Sequence, residues 1–395
     1  MKKTVLIVGG SKWQLDIISK VKSHGYFAAV TDISDQAPGK EIADIFYNVD
    51  STDKDALLKI ARAHNIAFAI AEQTDRVVPS VAYLNEQLNL RGITPQIAQR
   101  FTDKFIMRTI LAETRLKQPE FCLVANLTEA ILAAEKMTYP VVLKPRSSQS
   151  SFGVFKVENE ADLRMRFIES FAFSKDGTLL LEQYIPGTEI TVEGFCVNYK
   201  CFPLAMSEKE HYPQNDCVSR KLIYPPSFSE SVLDLVRKYV IEVVEKLGLE
   251  LGIFHAELKI DGDDVLLIEV AARGGGHKIA SVIVPHVSGI DVYDLLIEAL
   301  AGKEVGIYSI ENKGAVLGFF DFEPGRIKQI NGVEKIINDA RVHEIRLNFT
   351  KGDTIAKAKD DVTRAGYYIA LCNNGDETRI LDKEILSTVS VDYFI

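Results

Sequence analysis

Glu257 and Glu269 lie in two apolar stretches, HAELKI and LLIEVAARGGG, on either side of the turn sequence DGDD. With a three-residue loop at 262–264, Leu258 pairs with Ile268 and Ile260 with Leu266, which makes one apolar face. The same register sets Glu257 directly opposite Glu269 on the other face. A two-residue loop would set Glu257 against Ile268 and mix the faces. Opposed carboxylates repel. A divalent cation between them removes the conflict, and hard oxygen ligands suit Mg2+ or Mn2+. The plain alternative is a pair of acids on a solvated sheet face. Arg273 and the glycines at 274–276 follow at once. A guanidinium beside open backbone suits a transferring anionic group, and Gly275 leaves room for substrate against the main chain.

A second cluster is VVLKPRSSQSSFGV. Lys144 ends a buried strand. Ser147, Ser148, Ser150, Ser151 and Gly153 then form a small-residue loop, whose N–H and hydroxyl groups can approach an anion closely. The Walker pattern is absent, no helix start follows, and an ordinary hairpin loop would read the same. Substrate candidates are more scattered. His277 and Lys278 follow the glycines. The polar stretch MSEKEHYPQNDCVSRK holds Lys209, His211, Arg220 and Lys221 and suits a segment that covers a site. His255 shares a strand face with Glu257. Glu72 ends the strand IAFAIAE, at the edge where open α/β sheets bind ligands, and suits an ammonium group. Each of these also reads as a surface or core-edge residue.

These residues need a scaffold of several units, and 395 residues with 47% hydrophobic content supply more than one core. Residues 1–95 alternate strand and helix, from TVLIVGG through WQLDIISKVKSHG to IAFAIAE, which predicts a parallel sheet with helices on its faces. The first turn, GGSKWQ, lacks the G-x-G-x-x-G fingerprint, which argues against a nicotinamide site. Residues 96–305 mix helices and strands. Residues 306–395 turn strand-rich, with GAVLGFFDFEPGRIKQINGV and RAGYYIALCNNGDE read as hairpins. The net charge is −9, with no basic cluster, which argues against nucleic acid as a partner. No apolar run approaches the roughly 18 residues of a membrane span. MKKTVLIVGG reads as a first strand rather than a signal peptide. Five cysteines without a C-x-x-C pair suit a reduced, cytoplasmic protein.

Taken in order, these segments resemble the ATP-grasp superfamily of carboxylate–amine ligases. TDKFIMRTIL resembles the family's first lysine helix, with Lys104 toward the ATP phosphates. YPVVLKPRSSQSSFGV resembles the second lysine, Lys144, and the phosphate-covering loop with Ser150, Ser151 and Gly153. LLLEQYIPGTEITVEGF is similar to the adenine hinge, where Glu182, Gln183 and Ile185 would meet the base and Glu189 the ribose. HAELKI and LIEVAARGGG resemble the metal pair, Glu257 and Glu269, and the reaction-centre arginine, Arg273. The tail resembles the C-terminal β domain of biotin carboxylase and of bacterial L-amino acid ligases. The resemblance implies an α/β and α+β ATP-grasp fold: a Rossmann-like domain at 1–95, an ATP-grasp domain at 96–305 and a β-rich domain at 306–395. It implies ATP and Mg2+ or Mn2+ as cofactors, and small carboxylate and amine substrates, with a homodimer left open. The family usually reads E-x-N-x-R at the metal strand, whereas here Ala271 stands at the Asn position. The expected activity is amide formation through an acyl phosphate. Its competitors are a bicarbonate-activating carboxylase, a nucleotide-binding protein without catalysis and a dinucleotide oxidoreductase.

Overall fold

A computed structural model describes residues 2–147 and 151–394. β1 (Thr4–Val8), β2 (Phe27–Asp32), β3 (Ile45–Asn48) and β4 (Phe68–Ile70) form a parallel sheet in the order β3-β2-β1-β4. Continuous apolar strands require cover on both faces. Val5 and Ile7 pack toward helix Leu15–Ser23, while Leu6 and Val8 pack toward helix Lys54–His64. The stretch from Pro95 is two helices, Pro95–Thr102 and Lys104–Ala112. They break at Asp103, whose side chain accepts from the N–H groups of Phe105 and Ile106.

A second sheet contains β5 (Phe121–Val124), β6 (Val141–Pro145), β7 (Phe155–Val157) and β8 (Leu179–Gln183), in the order β5-β8-β6-β7. The large sheet begins with β9 (Thr188–Val197), β10 (Lys200–Tyr212), β11 (Asn215–Tyr224), β12 (Leu251–Asp261), β13 (Asp264–Ala271) and β14 (Gly314–Phe319). It is completed by β16 (Val342–Leu347) and β18 (Gly366–Cys372), in the order β13-β12-β9-β10-β11-β14-β18-β16. β15 (Gly325–Asn331), β17 (Thr354–Ile355) and β19 (Ser390–Tyr393) make a small fourth sheet. β14, β16 and β18 thus extend the sheet that carries the acidic pair instead of standing apart from it.

Four local expectations change. Residues 200–224 form the central hairpin β10–β11, so the polar stretch is part of the sheet wall and not a covering segment. β14 pairs with β11 and β18, not with β15. RAGYYIALCNNGDE is a strand followed by helix Gly375–Thr388, whose N-cap Asn374 accepts from the N–H of Glu377. Cys196 and Cys201 are register partners across the β9–β10 hairpin and are joined as a disulfide, so the expectation of free thiols fails there. Strand pairing, which residue spacing does not report, brings those sulfurs together.

Two residues read as substrate contacts serve the scaffold. Lys221 is buried against helix Gly375–Thr388, 2.7 Å from Asp382 and 3.3 Å from Glu210, and does not line the large cleft. Glu72 is 1% exposed. Its Oε1 accepts from the Tyr293 hydroxyl at 3.3 Å, and a Cβ on Gly274 would lie 2.3 Å from it. Glu72 therefore supports the glycine loop from beneath. Burial lifts its carboxyl to about 7, against the pull of Arg273 and of the Gly274 N–H.

A carboxyl with a raised folded-state pKa binds its proton more tightly when folded. Its contribution to stability is full below its ordinary value of 4.5 and is lost as pH rises through about 7. Glu72→Gln should therefore stabilise the protein at pH 8, by up to about 3 kcal/mol, and give no gain at pH 4.5. Thermal melts at the two pH values check this; an equal shift at both would show that Glu72 does not hold a proton in the fold.

Candidate functional site

A cleft of about 790 Å3 runs between the second sheet, the large sheet and the first strand–helix turn. The acidic pair stands on its wall. Glu257 is the register partner of Glu269, as the sequence predicts, but the loop is not the one expected. Asp261 pairs with Asp264 across a two-residue turn, with Gly262 at φ +60°. A bulge at Ile268 then restores the alignment, since Glu257 faces Glu269 while Leu258 faces Leu267. Strand parity switches at the bulge. Val265 and Leu267 on one side of it and Val270 on the other all enter the same core, beside Leu258 and Ile260.

Arg108 fixes this bulge. Helix Lys104–Ala112 buries its guanidinium completely. Nη2 donates to the main-chain oxygen of Ile268 at 3.0 Å, and Nε donates to Glu182 Oε1 at 2.7 Å. Lys144 Nζ meets Glu182 Oε2 at 2.5 Å. Burial alone would raise the Glu182 carboxyl, but Arg108 and Lys144 override it and hold it down at about 2. The side chain of Glu182 is thus committed to two cations, and only its main chain is left for a ligand at the hinge. Burial lowers the Lys144 ammonium despite Glu182.

The remaining charges form a ladder across β12, β9 and β10. Lys209 Nζ lies 2.5 Å from Glu189 and 2.8 Å from Glu257. His211 Nε2 is 3.1 Å from Glu189. His255 meets Glu193 at 2.5 Å and Glu257 at 3.4 Å. Burial works against a charged His255, but Glu193 and Glu257 lift its pKa to about 9. Lys104 Nζ stands 2.8 Å from Glu269. Arg273 is held by Asp75, with Nε at 3.0 Å and Nη2 at 2.6 Å, and its Nη1 donates to the oxygen of Gly274 at 2.9 Å. The first domain thus supplies the partner of Arg273.

Of the predicted residues, Lys104, Lys144, Ser151, Glu182, Gln183, Ile185, Glu189, His211, Glu257, Glu269, Arg273 and His277 line this one cleft. Ser151 Oγ donates to the oxygen of Cys217 at 2.8 Å. Gly153 and Gly275 shape its loops without lining it: a Cβ on Gly153 would press on Phe173 and Pro145, and one on Gly275 on Ile279 and His255. Ser150 lies outside the described residues. Glu72 and Lys221 are elsewhere, as described above. His277 and Lys278 both take left-handed conformations, φ +53° and +61°, ahead of a π-helical turn at Ile279–Ile283. This turns the His277 ring among Trp13, Phe319 and Tyr367.

The sequence reading missed Arg108, Asp75, Trp13 and Arg364. Arg108 sits within the quoted lysine helix, one turn after Lys104, and helical spacing would have placed both on one face. Asp75 and Arg364 carry no local signal. Trp13 was passed over with a turn judged only for its glycines.

Glu257 and Glu269 fit a hard divalent cation: two carboxylates face each other on the cleft wall, each already beside an ammonium group. Among the described residues no His, Cys, Asp or Glu trio is grouped for a metal. Mg2+ is commonly held by one or two carboxylates together with substrate oxygens.

The comparisons agree with this geometry. Residues 137–281 match the ATP-grasp domain model, and residues 318–393 match the L-amino acid ligase C-terminal domain 2 model. The chain is 22% identical to the formate-dependent phosphoribosylglycinamide formyltransferase of Sulfurisphaera tokodaii, over 92% of this chain and 96% of that protein. It is 26% identical to the alanine–anticapsin ligase of Bacillus subtilis, over 75% of this chain and 68% of that protein. Its fold is similar to that of the L-amino acid ligase from Bacillus licheniformis, with a TM-score of 0.86 at 20% identity, over 100% of this chain and 99% of the other. With two lysines and a carboxylate pair converging on one cleft, residues 137–281 carry an ATP-grasp domain, and the chain is similar to ATP-grasp carboxylate–amine ligases.

Proposed function

We propose that this protein joins the carboxylate of one amino-acid-like substrate to the amine of another, at the expense of ATP. The observation that carries this reading is the meeting of buried Lys104 and Lys144 with the opposed pair Glu257 and Glu269 in a single cleft. In this reading Lys104 and Lys144 hold the ATP phosphates, and Glu182 is a positioning residue that aims Lys144. Gln183 and the main chain at Glu182 and Ile185 meet the base, and Glu189 takes the ribose hydroxyls. Ser151 and its loop cover the phosphates and keep water from the intermediate. Glu257 and Glu269 would hold Mg2+, which when bound neutralises charge on the phosphate oxygens.

The γ-phosphoryl passes to a carboxylate oxygen of the acid. The bond from Pγ to the ADP oxygen breaks and a P–O bond to the acid forms. Arg273, held in place by Asp75, steadies the charge that builds on the phosphoryl oxygens. The amine nitrogen then attacks the carbonyl carbon. The C–N bond forms, the C–O bond to phosphate breaks, and one proton leaves for solvent. A cytoplasmic setting, where ATP is available, belongs to the same proposal. The test is ADP release against a matrix of amino acids, other small carboxylates and amines, with hydroxylamine trapping the acyl phosphate. Absence of both ADP release and hydroxamate with every acid would overturn the reading.

Three variants probe the roles. Lys144→Ala and Glu269→Gln should each reduce ADP release to background while circular dichroism stays native; near-normal turnover in either would remove it from the catalytic set. Ala271→Asn adds an oxygen ligand beside Glu269 and should leave or lower the half-saturating Mg2+ concentration. A large rise would mean that the small Ala271 side chain serves packing or substrate shape. Arg273→Met should slow phosphoryl transfer by about a hundred- to a thousandfold in single turnovers at saturating ATP and Mg2+. An unchanged rate would reduce Arg273 to a structural partner of Asp75.

A further inference from the structure

Glu193 plays no part in the steps above and does not line the cleft, yet it is a carboxylate only 1% exposed. It belongs to β9, where its register partner is His255 of β12. Its Oε1 meets His255 Nδ1 at 2.5 Å, and its Oε2 has no partner among the described residues, so its hold is on the ring. The other ring nitrogen, Nε2, lies 3.4 Å from Glu257 Oε1. Lys209 Nζ donates to that same oxygen at 2.8 Å. The glycine loop closes over the ring, since a Cβ on Gly275 would lie 3.1 Å from His255 Nδ1. The imidazole thus sits between two carboxylates, with the loop against it, on the wall of the cleft.

Taking a carboxylate out of water is costly unless it is paired, and a buried ion pair is a poor source of stability. What such a pair can supply is orientation. An imidazole set between two carboxylate oxygens donates from both nitrogens. Glu193 and His255 then carry opposite charges, and together they add no net charge beside a cation. They do fix one oxygen of Glu257. Lys209 and His255 both meet Oε1, which leaves Oε2 as the oxygen for a cation shared with Glu269.

We propose that Glu193 and His255 are positioning residues for the metal site: Glu193 clamps the imidazole, and the imidazole with Lys209 holds Oε1 of Glu257 so that Oε2 is presented to the divalent cation. This rests on the ligase reading above and deepens it by naming what aims one of the two metal ligands.

The test reads metal binding apart from turnover. Free Mn2+ gives an electron paramagnetic resonance signal that binding removes, so a titration of the full-length protein in the presence of ADP yields the affinity. Two variants separate position from charge. His255→Leu removes a cation and leaves Glu193 in place. By charge alone it should tighten Mn2+ binding; by loss of position it should weaken it, by about ten- to a hundredfold. Glu193→Leu combined with His255→Leu removes the pair as a unit, a replacement that folds commonly tolerate. It should melt near the native temperature and show the same weakening. With an acid and an amine from the matrix above, its ADP release should return to within a few fold of native at saturating Mg2+, because the clamp sets occupancy of the metal site and not the phosphoryl step. Unchanged or tighter Mn2+ binding in either folded variant would overturn the proposal. So would a deficit in ADP release that persists at saturating Mg2+, which would make His255 a catalytic residue instead. Failure of the ligase reading would appear separately, as no hydroxamate with any acid, while the Mn2+ titration still decides for or against the clamp.

Discussion

One buried guanidinium ties together the parts on which the site depends. Arg108 bonds the carbonyl of the bulge residue Ile268, and it also holds Glu182, which in turn holds Lys144. The bulge adds one residue to β13 and so decides which side chains face the cleft. Without it, the two-residue turn would carry Ile268 to the place opposite Glu257. A main-chain carbonyl displaced from the ladder needs another donor when buried, and Arg108 supplies it. Arg108 thus acts on both walls of the cleft: it holds the acid that aims a lysine on one sheet and shapes the strand that aims an acid on the other.

The same constraint, that buried charge must be compensated, organises the rest of the cleft. Lys104 pairs with Glu269, Lys209 lies between Glu189 and Glu257, His255 between Glu193 and Glu257, and Arg273 pairs with Asp75. Such pairs add little net stability once desolvation is counted. What they contribute is position. The Asp75–Arg273 pair also joins the first domain to the strand that bears Glu269, so the position of Arg273 in the cleft depends on how the first domain docks.

The C-terminal strands belong to this arrangement. Because β14 and β18 continue the large sheet, Phe319 and Tyr367 come to the His277 ring, and Arg364 comes to Phe319. The two left-handed residues after the glycines are what turn that ring into the cleft. Backbone conformations of this kind are costly for residues other than glycine and persist where surrounding contacts hold them.

Much of the fold and half of the site could be read from residue order alone. Period-2 and period-3.6 patterns reveal strands and helices because each buries one face, and lysines or acids at strand ends stand out against apolar runs. The opposition of Glu257 and Glu269 was legible for that reason, although the loop inferred to produce it was wrong. A bulge is a backbone event that leaves no mark in composition. What the sequence could not decide were contacts between segments far apart in the chain. Asp75 with Arg273, Arg364 with Phe319, Lys221 with Asp382 and Cys196 with Cys201 are set by docking and strand order. Glu72 shows the limit most plainly. Its place at the end of a strand suggested a ligand, and only the loop folded over it makes it a buried support. Local pattern determines which face of an element is apolar; tertiary packing decides which polar residues on the other face meet one another, because that depends on neighbours the chain reaches only after it folds.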